Sequence, residues 1–72
     1  MSKRSITIAG HRTSISLEAP FWDALGEIAA GKGKSVAALV AEIDRERAEE
    51  TNLSAALRMF ALDWYRRPDD RA

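Results

Sequence analysis

The stretch Arg12-Thr13-Ser14-Ile15-Ser16-Leu17 decides how the rest of the chain is read. Small polar and apolar side chains alternate through it and β-branched residues are frequent, the pattern of a strand with one buried face. Alternation puts Thr13, Ile15 and Leu17 on one face and Arg12, Ser14 and Ser16 on the other. Such a strand carries unpaired amides and carbonyls along both edges and requires a partner. Upstream, Ser5-Ile6-Thr7-Ile8 is a second extended candidate, set off by Ala9-Gly10, where glycine permits a bulge or a turn. The partner is therefore either this segment or the same strand of a second chain.

Downstream the period changes from two to 3.6. Pro20 suits the start of a helix, and Phe21, Leu25 and Ile28 follow at i, i+4 and i+7, which predicts a helix over about 20–30 ended by Gly31 and Gly33. Ser35 suits the N-cap of a second helix, whose stripe is Val36, Leu39, Val40 and Ile43. The charged run from Asp44 to Glu50 has no apolar stripe. Thr51-Asn52-Leu53-Ser54 then offers caps for a third helix over 51–67, with Leu53, Leu57, Phe60 and Trp64 on one side and Pro68 as its stop. The reading is a mainly α chain with one N-terminal β-strand, in a single domain over 1–72. It comprises a basic N-terminal arm (1–11), a strand-helix-helix core (12–47), an additional helix (51–67) and a frayed tail (68–72).

Composition narrows the function. A chain of 72 residues buries little apolar surface alone, and it has no cysteine to supply a disulfide or a thiolate metal site. Oligomerisation is the expected support. Lack of cysteine also fits a reducing cytoplasm, and no stretch approaches the ~18 apolar residues of a membrane span. The 11 basic and 11 acidic residues cancel, but residues 1–17 carry Lys3, Arg4 and Arg12 without one acid, so one end of the molecule can face phosphates. A single histidine, His11, with no cysteine and no paired carboxylates in an evident cleft, gives no nucleophile with a base, and an enzyme is not expected. Gly26 to Gly33 has the spacing of a phosphate-binding loop but ends in glycine where Ser or Thr must hold magnesium, and it follows a helix pattern. Trp22, Phe60, Trp64 and Tyr65 sit at core or interface spacing on helices, so a base-stacking role is not expected of them. No cofactor is implied.

The order strand, helix, Gly-x-Ser turn, helix resembles the ribbon-helix-helix DNA-binding domains. The residues carrying the likeness are Thr13 to Leu17, Leu25 to Ala29, Gly33-Lys34-Ser35 and Leu39 to Ile43, and the block Gly10 to Glu18 followed by Phe21-Trp22 resembles a short bacterial subfamily. The resemblance implies an intertwined homodimer in which one strand from each chain forms a two-stranded antiparallel intermolecular ribbon that enters the major groove of double-stranded DNA. On that mapping Arg12, Ser14 and Ser16 read bases, while Lys34 and Ser35 at the second helix anchor phosphates, joined by Lys3 and Arg4 of the arm. The implied function is a sequence-specific transcriptional regulator or repressor. The alternatives are an antitoxin, whose C-terminal part covers a toxin, and a protein-interaction module without DNA binding. The third helix is an addition to the minimal family core and a surface for a protein partner.

Overall fold

The computed structural model describes residues 1–67, so the frayed tail and the stop at Pro68 lie outside the described residues. It contains strands β1 (Ser2–Ile8) and β2 (His11–Leu17), then helices α1 (Ala19–Gly31), α2 (Val36–Glu46) and α3 (Leu53–Arg66). All three helices fall where the apolar spacing places them, within a residue or two at each end.

The N-terminal region departs from expectation. Residues 2–8, expected as part of a basic arm with 5–8 as a strand candidate, are a full strand, and they pair antiparallel with β2 inside the same chain, in the register Ser2↔Leu17, Arg4↔Ile15, Ile6↔Thr13 and Ile8↔His11. Within the chain this hairpin supplies one of the two partners that the sequence left open for β2. Its cause is the two-residue loop. Ala9 (φ 51) and Gly10 (φ 84) both have positive φ, the condition for a type I′ turn, whose twist matches that of the flanking strands. Glycine adopts this conformation freely, whereas alanine there crowds its Cβ against the backbone.

The hairpin buries one face. Ile15 and Leu17 are fully enclosed, Ile6 and Ile8 pack against the same cluster, and Leu25, Ile28, Leu39, Val40 and Leu57 complete it from the three helices. Enclosing a side chain such as Leu17 contributes roughly 1.5–3 kcal/mol. Trp22 of α1 is buried as well, and its indole Nε1–H donates to the Ser2 carbonyl at 3.0 Å, which fastens the first strand residue to α1. On the other side, the Ser54 hydroxyl of α3 donates to the Ser16 carbonyl at 3.1 Å. That carbonyl belongs to the outer edge of β2, because residues flanking a two-residue turn exchange ladder bonds and alternate pairs point away.

Helix ends follow from local chemistry. Gly33 (φ 71) lets the chain reverse after α1, with Lys34 N–H donating to the Ala29 carbonyl at 3.0 Å and Gly33 N–H to the Ala30 carbonyl at 3.1 Å, a Schellman motif. Ser35 Oγ accepts from the Ala38 amide at 3.1 Å and Asn52 Oδ1 from the Ala55 amide at 2.8 Å, so each caps the helix that follows. Between them, Arg47 holds Asp44 and the Thr51 carbonyl, both at 2.7 Å, and so organises the charged connection that has no apolar stripe.

Ala9→Asn should stabilise the protein, since Asn tolerates the left-handed conformation that strains alanine. The expected gain is about 0.5–1 kcal/mol, read as a higher midpoint in urea with an unchanged slope. A lower midpoint would mean that the turn does not limit the hairpin.

Candidate nucleic-acid interface

Residues directly opposite each other in an antiparallel pair share a face. The register therefore puts Lys3 beside Ser16, Ser5 beside Ser14 and Thr7 beside Arg12 on the side of the hairpin away from the helices. Ser16 is half-buried and the other five are exposed. The face carries two cations and four hydroxyls, with neither a carboxylate nor an apolar side chain. Arg12, Ser14 and Ser16, which alternation alone singles out, are thus brought together. Lys3 joins them from β1, together with Ser5 and Thr7, which alternation within residues 12–17 does not reach. The alternation of Ser5 to Ile8 carries their signal, but it acquires meaning only once the strand pairing is known.

Arg4 lies elsewhere. It is opposite Ile15, on the helix-facing side, and its guanidinium sits 4.9 Å from the centroid of the Trp22 ring. Cation–π attraction and the indole's fixed position hold it there, turned away from the ribbon's outer face.

The start of α2 forms the other half of the expected site. Ser35 caps the helix through Ala38, leaving the first amides of α2 as open donors at the positive end of the helix dipole. Lys34 is not free beside them: its Nζ donates to Glu42 Oε2 and forms an ion pair with it. The hydrogen bond from Lys34 holds the Glu42 carboxyl below its ordinary range, so the carboxylate is ionised at neutral pH. Lys32 has its ammonium 5.4 Å from the Trp64 ring and 5.8 Å from the Phe60 ring, themselves stacked with centroids 6.3 Å apart. Those two rings are thus occupied by each other and by Lys32.

A second ion pair braces the scaffold. Arg58 of α3 donates through Nε and Nη2 to the two carboxylate oxygens of Glu18, at 2.9 and 3.1 Å. Glu18 stands where β2 passes into α1, so this fork ties the end of the ribbon to α3. The hydrogen bond from Arg58 lowers the Glu18 pKa. No group of three or more His, Cys, Asp or Glu among the described residues is placed to hold a metal ion, and no described helix is long and apolar enough to cross a membrane.

A β-hairpin followed by helices, with a basic and hydroxyl-bearing outer face, defines a compact α-and-β scaffold built to present a ribbon. The ribbon-helix-helix domain family model matches residues 1–65, and the chain belongs to that family. Among solved structures it is similar to an uncharacterized protein from Bordetella pertussis Tohama I, with 32% identity and a TM-score of 0.78. That match covers 96% of this chain and 58% of the Bordetella protein, so the chain spans a little over half the length of its neighbour. No curated protein matches the chain.

A carboxyl whose pKa is depressed by folding stabilises the protein above its unfolded pKa, and that contribution is lost as pH falls through the folded value. In a carboxyl-carbon NMR titration, Glu18 and Glu42 should therefore titrate below the ordinary glutamate range. Arg58→Ala should raise the Glu18 pKa toward the ordinary range, leave Glu42 unmoved, and reduce the loss of stability on acidification. A Glu18 titration unmoved by Arg58→Ala would refute the fork.

Proposed function

We propose that the chain is a sequence-specific DNA-binding regulator of transcription, acting as a homodimer with the outer face of its hairpin in the major groove. The observation that carries this reading is the composition of that face: two cations and four hydroxyls, with no acid, on a two-stranded ribbon. A major groove about 12 Å wide admits such a ribbon. Arg12 suits bidentate bonding to guanine, and Ser14 and Ser16 donate or accept with less discrimination. Lys3, at the far end of the same face, and Lys34 with Ser35, at the α2 terminus, are the phosphate anchors. Arg4, on the helix-facing side over Trp22, is offered to phosphate only from the edge of the ribbon.

Base readers and phosphate anchors fail differently when removed. On a selected operator and a scrambled duplex, Arg12→Ala should cost on the order of 1–3 kcal/mol per half-site on the operator alone. Lys34→Ala should weaken both duplexes alike and make the log–log salt dependence shallower by roughly one unit for each phosphate that is no longer neutralised. Glu42 competes with phosphate for Lys34, so Glu42→Gln should tighten both. Equal loss on both duplexes for Arg12→Ala, with an operator-only effect for Lys34→Ala, would overturn the assignment.

Because the ribbon closes within one chain, the case for a dimer rests on other ground. The outward side of α3 exposes Met59 (64%), Leu62 (56%) and Tyr65 (45%) at i, i+3 and i+6 on a small protein. Antiparallel packing of two such helices about Leu62 would set Met59 against Tyr65 of the other copy, a favourable thioether–aromatic pairing. The thermal midpoint should then rise with protein concentration, and Leu62→Glu should remove that dependence. The same stripe favours the second reading, in which α3 covers a different protein, as an antitoxin does. A midpoint independent of concentration, with a monomeric mass, would select it over the homodimer.

A further inference from the structure

We infer that β1 supplies a second row of base readers, with Thr7 and Ser5 contacting base edges beside Arg12 and Ser14. The inference rests on the DNA-binding role proposed above and goes beyond the three β2 positions that a single-strand ribbon would use. Thr7 stands opposite Arg12 and Ser5 opposite Ser14, and all four are exposed on the face that carries no acid. Outward-pointing cross-strand pairs of this hairpin are the ones that do not exchange ladder bonds, in which Cα atoms approach to about 4.5 Å. Thr7 and Arg12 therefore reach the same or the adjoining base pair.

The spacing of the rows sets what they can read. Successive rows on one face are two residues apart, about 6.7 Å, while bases on one strand rise about 3.4 Å. Each row thus advances about two base steps along the groove, and the three rows span about four, a half-site of roughly five base pairs. The chemistry differs by row. At the turn end, Arg12 seeks guanine while the Thr7 methyl offers an apolar contact to the thymine methyl. In the middle, Ser5 and Ser14 offer hydroxyls only. At the other end, Lys3 is a flexible point charge suited to phosphate. The chemistry implies a half-site with a guanine and, within two steps of it, a thymine, where the thymine depends on β1.

Binding-site selection on randomised duplexes with the full chain tests this. The wild type should select both bases. Thr7→Ser removes the methyl and should lose about fourfold discrimination for thymine, the worth of one buried methyl group, while keeping the guanine. Thr7→Val retains the methyl and should keep the thymine. Arg12→Ala should do the converse, flattening the guanine alone. Ser5, Thr7 and Arg12 are exposed, and circular dichroism with an unchanged thermal midpoint confirms folding. If Thr7→Ser and Ser5→Ala both select the wild-type site with wild-type discrimination while Arg12→Ala loses the guanine, only β2 reads and the inference falls. If the wild type selects no sequence, the regulatory role itself fails, a separate result that removes the basis for both.

Discussion

Everything that distinguishes this protein's surface depends on the register of one hairpin, and the register is held by two residues. Ala9 and Gly10 take up positive φ values, which close the strands after two residues and put Ile8 opposite His11. From that start the pleat does the rest. Ile6, Ile8, Ile15 and Leu17 turn toward the helices, and Lys3, Ser5, Thr7, Arg12, Ser14 and Ser16 turn away. A slip of one residue would send every side chain of a strand to the opposite face, putting isoleucines into water and hydroxyls into the core. Burial and turn geometry therefore specify the same register, and the uniform polar face follows from turning Ile6, Ile8, Ile15 and Leu17 inward.

The helices hold that ribbon by contacts to both strands. Trp22 is enclosed by apolar neighbours and spends its one polar atom on the Ser2 carbonyl, as a buried indole must. Once Trp22 is in place it also receives Arg4 on its ring. On the far side, Ser54 holds the Ser16 carbonyl and Arg58 grips Glu18 through both carboxylate oxygens. The third helix, an addition to the strand-helix-helix plan, is thus part of what positions β2.

Charge on this molecule is arranged locally, since the total is zero. The outer face of the hairpin keeps its cations without internal partners on that face, whereas Lys34 at the start of α2 is paired with Glu42 and Lys32 with an aromatic pair. Ion pairs that keep about a third of their side-chain surface in water, as Lys34 and Glu42 do, contribute little. Glu42 therefore holds Lys34 only weakly.

Much of this is legible in residues within a turn or two of each other. The two faces of residues 12–17, the three helices, the cap at Ser35 and the reversal around Gly33 all follow from local periodicity and backbone chemistry, which act over four or five residues whatever the fold. The partner of β2 does not follow, because Ala9-Gly10 is compatible with a bulge or a turn and alanine is not a usual residue at positive φ. In the sequence Arg4 belongs with Lys3 to one basic arm, yet pairing sends neighbours to opposite faces, and Arg4 meets Trp22, a residue 18 positions further on. Lys34 has the sequence context of a free anchor, and an acid eight residues away holds it. Local sequence determined which elements form and which sides are apolar. Only the tertiary structure decided which polar groups share a surface and which neutralise each other, because those pairings depend on distances that packing sets.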